Sequence, residues 1–349
     1  MSIRKALLAL AVTLCFNSSL IADTLALKPD YPARYVVVKG DTLWDISSKF
    51  LQDPWRWPEI WNLNPDIQNP HLIYPGDAIS LVFVDGKPVL QIDRGDGQRT
   101  VKLSPQTRST QLSSAVPAVP ATAISQFLFQ PRILTQEQLD QAGFVASAED
   151  SRLISGIGNN VYALQLEQNN ETKRYAIYRM NQTYRNPANE DEILGYEAIH
   201  VSDAELTRQG DPATLRITKS YRETLLGDKV LIPDEAQRDQ SFLPRSPEQK
   251  VEGLIISLID GMSSVGQYQT VVINLGKEDG IESGHVLAVR QAGATINDPS
   301  STGLFKSKLQ LPDERTGLLM VVRVFDRISY AMVMNASRDI RIKDPVSNP

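Results

Sequence analysis

The chain is poor in the residues from which most catalytic and metal centres are built. Its 349 residues include one cysteine and three histidines. Cys15 lies inside an apolar N-terminal run, so the rest of the chain has no disulfide framework and no cysteine nucleophile. His71, His200 and His285 stand apart and fall in no metal-ligand spacing. No cluster of Lys and Arg is present, and a formal charge of −5 argues against a nucleic-acid or anionic-membrane surface. Beyond the N-terminal run, no apolar stretch is long enough for a transmembrane helix. Tryptophan is as scarce, but concentrated: all four, Trp44, Trp55, Trp57 and Trp61, lie in one short stretch.

The N-terminus carries Arg4-Lys5, the apolar run Ala6–Phe16 and then Asn17-Ser-Ser-Leu-Ile-Ala22. A charged start, a short apolar core and a small-residue end are the layout of a secretory signal peptide over residues 1–22. Leu14 makes a poor lipobox for Cys15, because the residue before a lipidated cysteine should be small. Cleavage after Ala22 would remove two cations and no acids, taking the formal charge to −7. A periplasmic location is expected.

In the tryptophan-bearing stretch, Tyr35–Val38 is a β-branched run suited to a strand. Gly40-Asp41 breaks it, and Thr42 with Asp45 three residues on forms a helix-capping pattern. Leu43, Ile46 and Phe50 then share one helical face. Pro58 suits the first turn of a second helix, which Asn64-Pro65 ends. Ile79–Val84 reads as a returning strand. Trp55, Trp57 and Trp61 read as core, since a disulfide-free module this small needs large side chains.

With its Gly40-Asp-Thr-Leu-Trp44 and Tyr74-Pro-Gly-Asp77 runs, this stretch (residues 34–84) resembles the LysM module, a cell-wall glycan-binding unit of the same βααβ order. The resemblance implies a shallow groove between two loops, where backbone groups bond the N-acetyl arms of glycan strands and apolar side chains touch the sugar faces. The matching residues are Gly40, Asp41, Thr42, Leu43 and Trp44 in the first loop. In the second they are Asn69, Pro70, His71, Leu72 and Ile73. Thr42 and Ile73, as loop residues, are expected to tolerate substitution.

Asp85-Gly86 is a two-residue hairpin signal, followed by a β extension over 85–103 with a second turn at Asp96-Gly97. A Ser/Thr/Pro/Ala-rich linker covers 104–125. Two β-rich units follow, 126–233 and 251–349, joined by a polar segment over 234–250. They read as copies: Tyr175-Ala-Ile-Tyr-Arg179 matches Val286-Leu-Ala-Val-Arg290, Leu194-Gly195 matches Thr316-Gly317, and Thr214–Thr218 matches Tyr330–Met334. The anchors are offset by 111, 122 and 116 positions. Only Thr135–Gly143 reads as helical. The fold class is therefore α+β, a βααβ module followed by a mostly β half.

Leu275-Gly-Lys-Glu-Asp-Gly-Ile-Glu-Ser-Gly284 before Val286–Val289 resembles the C-terminal module of the flagellar assembly protein T family; Gly276, Gly280 and Gly284 themselves read as turn chemistry. Joined to LysM and a signal peptide, it resembles the type IV pilus secretin-associated proteins. That resemblance implies a non-enzymatic adaptor holding an outer-membrane secretin ring, or a similar envelope assembly, to peptidoglycan. The alternatives are a wall hydrolase with an unrecognised β-rich catalytic domain and a flagellar basal-body accessory. The residues point to no catalytic group, metal or cofactor.

Overall fold

The chain falls into two units, residues 1–116 and 117–349. The computed structural model describes residues 25–61, 73–84, 86–93, 131–166, 173–233, 243–259, 263–293, 295–297 and 308–349. The signal peptide, the helix end at Asn64-Pro65, the second turn of the β extension, the linker and most of the 234–250 segment lie outside the described residues.

In the first unit, β1 (Tyr35–Val36) leads through the Gly40 turn into α1 (Leu43–Phe50). Thr42 caps that helix reciprocally: its hydroxyl accepts from the Asp45 N–H at 3.1 Å, and its own N–H donates to the Asp45 carboxylate at 3.2 Å. Leu43, Ile46 and Phe50 are fully buried. A 3₁₀ turn at Pro54–Arg56 enters α2 (Trp57–Trp61), whose Trp57, Ile60 and Trp61 are also buried. The antiparallel strands β2 (Ala78–Val84) and β3 (Lys87–Asp93) complete a three-stranded sheet with β1. The β2–β3 connection has two residues, and Gly86 there takes φ +76, the left-handed region glycine enters without a Cβ penalty. Order begins ahead of β1, because Ala26 and Lys28 bond across to Gln52 and Phe50.

The second unit opens with β4 (Arg132–Leu134) and α3 (Gln136–Gln141), capped by Thr135; the helix expected over Thr135–Gly143 ends at Gln141, and Gly143 begins the next strand. The strands that follow are β5 (Gly143–Ala148), β6 (Ile154–Ser155), β7 (Asn160–Leu164), β8 (Arg174–Asn186), β9 (Asn189–Arg208), β10 (Ala213–Ser220), β11 (Thr224–Leu225) and β12 (Lys229–Leu231). Six of them close a ring, β5–β7–β10–β9–β8–β12 and back to β5, entirely antiparallel. β4 adds to the flank of β9, and β6 pairs with β11.

Past the connecting segment come β13 (Glu252–Leu258), β14 (Thr270–Ile273), β15 (Val286–Gln291), β16 (Thr295–Asn297), β17 (Lys308–Gln310), β18 (Glu314–Val324), β19 (Ser329–Ala336) and β20 (Pro345–Ser347). They form a second closed barrel, β13–β14–β19–β18–β15–β20, with β16–β17 as a side hairpin. Taken in chain order, the two rings have one topology. The repeat expected from the sequence is therefore present, although two of its three anchors shift.

Register corrects those anchors. Ile177 faces Val230 as Val289 faces Val346, so β8 corresponds to β15 at an offset of 112, where composition suggested 111. Ala204 faces Ile217 as Leu319 faces Val333, so β9 corresponds to β18 at 115, where composition suggested 122. Leu194-Gly195, the misplaced anchor, belongs to the β8–β9 ribbon beyond the ring. Thr214 and Tyr330 keep the offset of 116.

The two cores coincide under this register. Val145, Ala148, Val161, Ala163, Tyr175, Ile177, Ala204, Leu215, Ile217 and Val230 of the first barrel correspond to Ile255, Leu258, Val271, Ile273, Leu287, Val289, Leu319, Ala331, Val333 and Val346 of the second. Gly143 and Gly253 occupy equivalent places; a Cβ would press on the Leu164 and Gln165 carbonyls at the first and overlap the Leu275 side chain at the second.

The β8–β9 ribbon lies against the second barrel. Glu192 pairs with Arg327, and Gln182 reaches Ser257 at 3.5 Å. Glu197, almost fully buried, accepts from Asn181 at 2.6 Å and from the Tyr184 hydroxyl at 3.2 Å. Burial raises the pKa of Tyr184 and of the nearby Tyr330.

Candidate functional site

Two carboxylates shape the loop region of the first unit. Asp41 folds back to accept from the Val38 N–H and from the Tyr35 hydroxyl, both at 2.9 Å. Asp77 does the same for the Tyr74 N–H at 3.0 Å. Backbone bonds from Val37 N–H to Asp77 C=O (2.9 Å) and from Gly76 N–H to Val37 C=O (2.8 Å) tie the second turn to the first strand. Burial and then the bond to Asp41 push the Tyr35 phenol up to about 12, so it stays a neutral donor across the physiological range.

The predicted groove residues divide by what their side chains can reach. Gly40 is exposed at φ +102, and Asp41 is half-buried with its carboxylate engaged. Thr42, Leu43, Trp44 and Ile73 are at most 2% exposed. They belong to the core or the helix cap and present no surface of their own to a ligand. The tolerance expected of Thr42 and Ile73 is thereby corrected: a bulky charge at either would enter the core. Asn69, Pro70, His71 and Leu72 lie outside the described residues.

Exposed apolar surface beside these loops belongs to Val36, Val38 and Tyr74. Strand alternation explains the first two, because Val37 between them points inward. Tyr74 opens the turn that Asp77 closes. The sequence signal for Val38 was its place at the end of the β-branched run, one residue from the loop. A flat ring and a branched aliphatic group beside backbone donors and acceptors can contact the C–H face of a sugar and bond its polar edge. The tryptophans contribute bulk: Trp44, Trp57 and Trp61 are buried, while Trp55 is half-buried under the Arg56 guanidinium, 6.0 Å from the ring centroid.

Among the described residues no group of three or more His, Cys, Asp and Glu is placed to hold a metal ion. His71 lies outside the described residues. His200 sits between the rings of Tyr178 and Tyr221, its Nε2 2.9 Å from an Asp203 carboxylate oxygen. His285 is buried and accepts the Glu282 N–H at 3.1 Å. Among the described residues no helix is long and apolar enough to cross a membrane.

Comparison with known proteins matches one domain of the chain. Residues 35–81 match the LysM domain, a module that binds peptidoglycan and related glycans and is not itself catalytic. Over 60 residues the chain is 38% identical to the uncharacterized protein YqbP of Bacillus subtilis (strain 168), a match covering 14% of this chain and 27% of that protein.

Proposed function

From a LysM domain at residues 35–81, joined to two barrels of one topology, we propose that the protein is a non-enzymatic adaptor of the cell envelope. The LysM domain grips the N-acetylated glycan strands of peptidoglycan. The double barrel engages an envelope assembly in the periplasm, a type IV pilus secretin ring. The observation that carries the glycan half is the family match over the two loops held by Asp41 and Asp77. The partner half rests on the resemblance of the whole arrangement to secretin-associated proteins and on the signal-peptide layout of residues 1–22.

Sedimentation of the full chain with purified sacculi tests the first half. The protein is expected in the pellet, and Val38→Asp or Tyr74→Ala is expected to weaken binding about tenfold, roughly 1.4 kcal/mol, without changing the circular dichroism spectrum. A wild-type protein that stays in the supernatant overturns the reading. For the second half, secretin should co-sediment with sacculi only when the adaptor is present. Release of soluble muropeptides would show a hydrolase instead.

A further inference from the structure

The two barrels act as controls for one another, and they differ sharply at one end. In the first barrel Leu153, Ile154, Ile157 and Leu226 stand 76%, 57%, 70% and 49% exposed. The β6–β11 pairing gathers them, with Ile154 opposite Leu225. The second barrel builds the same end in the same way. Gly156 N–H bonds to the Asn159 side chain at 2.9 Å, and Gly266 N–H to the Gln269 side chain at 2.7 Å. Ser155 pairs with Thr224 as Val265 pairs with Ile340. Register places Ser263, Ser264, Gln267 and Ile342 where the first barrel has its four aliphatic residues.

Three of the four positions are thus polar in a barrel that closes equally well. Closure does not require aliphatic residues there, and an exposed cluster the fold does not need marks an interaction surface. The loop bringing up Leu153 holds Asp150 and Ser151 at φ 58 and 56, a left-handed conformation that is uncommon for non-glycine residues and often kept at functional places.

The surroundings select the occupant. Arg152 pairs with Asp150 at 3.3 Å, and the Glu149 carboxylate accepts from the Asn160 amide at 3.0 Å. Four side chains are far fewer than the roughly 20–30 residues a side of a stable interface between copies. They include no Trp, Tyr or Lys of the kind that anchors a protein at a lipid surface, and a net charge of −5 disfavours anionic lipid. We propose that this end of the first barrel receives a short segment of a protein partner through that segment's aliphatic face. The assignment rests on the adaptor reading for the partner's place in the envelope.

The triple change Leu153→Ser, Ile154→Ser and Ile157→Gln places in the first barrel what the second already carries, so the unfolding midpoint should not move. In cells, a photocrosslinking amino acid replaces Leu153, Ile157 or, as control, Ser263 in the full chain. One and the same protein adduct is expected from 153 and 157 and none from 263. With that protein purified, the triple variant should bind at least tenfold more weakly, and sacculus binding should be unchanged. Leu226→Gln, in an exposed turn, should weaken binding several-fold and serves if the triple variant unfolds. Lack of an adduct at 153 and 157, an equal adduct at 263, or adducts only to a second copy overturns the proposal. So does binding to phosphatidylethanolamine–phosphatidylglycerol vesicles that the triple change abolishes. If wild-type protein fails to bind sacculi, the adaptor reading falls while the adduct result stands on its own.

Discussion

The two barrels share a ring of six strands and spend different residues on it. Tyr175 faces Ala204 in the first, and Leu287 faces Leu319 at the same place in the second. A large–small pair has become two of middle size. Leu215 beside Val161 corresponds to Ala331 beside Val271, while Ala163 corresponds to Ile273. Cores accept such exchanges when total volume and pattern are kept. The polar closures differ similarly: Asp228 accepts from the Leu225 N–H and takes both arms of Arg179 at 2.9 Å. Asp344 accepts from the Arg341 N–H and meets Gln291, the register counterpart of Arg179, at 2.8 Å. The fold demands a carboxylate in that turn and leaves the partner across the ring open.

The largest expected difference between the barrels lies in that partner. Asp228 is buried, so Arg179→Ala should cost about 1.5–3 kcal/mol, the range for hydrogen bonds to charged groups. Gln291→Ala should cost about 0.5–1.5 kcal/mol, as for a neutral donor. Denaturant unfolding of the full chain measures both, and equal costs would break the comparison. Next, Ala204→Leu alone should overpack the first barrel by about 1–3 kcal/mol. Adding Tyr175→Leu, which installs the second barrel's pair, should recover at least about 0.5 kcal/mol beyond additivity in a double-mutant cycle.

The smallest effect concerns pH. Burial, followed by the nearby Arg245, lowers the pKa of His285, whose register counterpart in the first barrel is Lys173. Below the unfolded value of about 6.5 the unfolded chain takes up a proton that the folded histidine refuses, so stability falls as pH drops through that value. The loss is at most about 1.4 kcal/mol per pH unit. His285→Gln, which keeps an acceptor for the Glu282 N–H, should flatten the slope of stability between pH 7.5 and 5.5.

Much of the first unit was legible in residues. Gly40 stops a β-branched run, Thr42 and Asp45 cap a helix, and Leu43, Ile46 and Phe50 form its buried face. The groove was legible only as a pair of loops. That Trp44 and Ile73 turn inward while Val38 and Tyr74 stay outside depends on what packs beneath them. The repeat was legible as a repeat, but Leu194-Gly195 was matched to Thr316-Gly317 on composition. β9 runs for 20 residues, and its first part extends past the ring as unbroken strand. The anchor is off by seven residues, an odd shift that a strict period of two would forbid, but bulges along the β8–β9 pair break that period, so only partner strands could set the register. The exposed aliphatic cluster at Leu153–Ile157 carries no local sign of exposure, since Leu-Ile-Ser-Gly-Ile could equally be an inward strand end.

By itself the sequence determined the capped helices, several of the strands, where turns break them, and that one β unit is followed by another like it. Those properties depend on capping, side-chain branching and glycine, all local. Ring closure was decided only in three dimensions, because β12 must find both β5 and β8, and β10 both β7 and β9, across long stretches of chain. So was the choice of face. A strand's period of two defines two sides, but which side meets the core and which meets a partner depends on neighbours distant in the sequence.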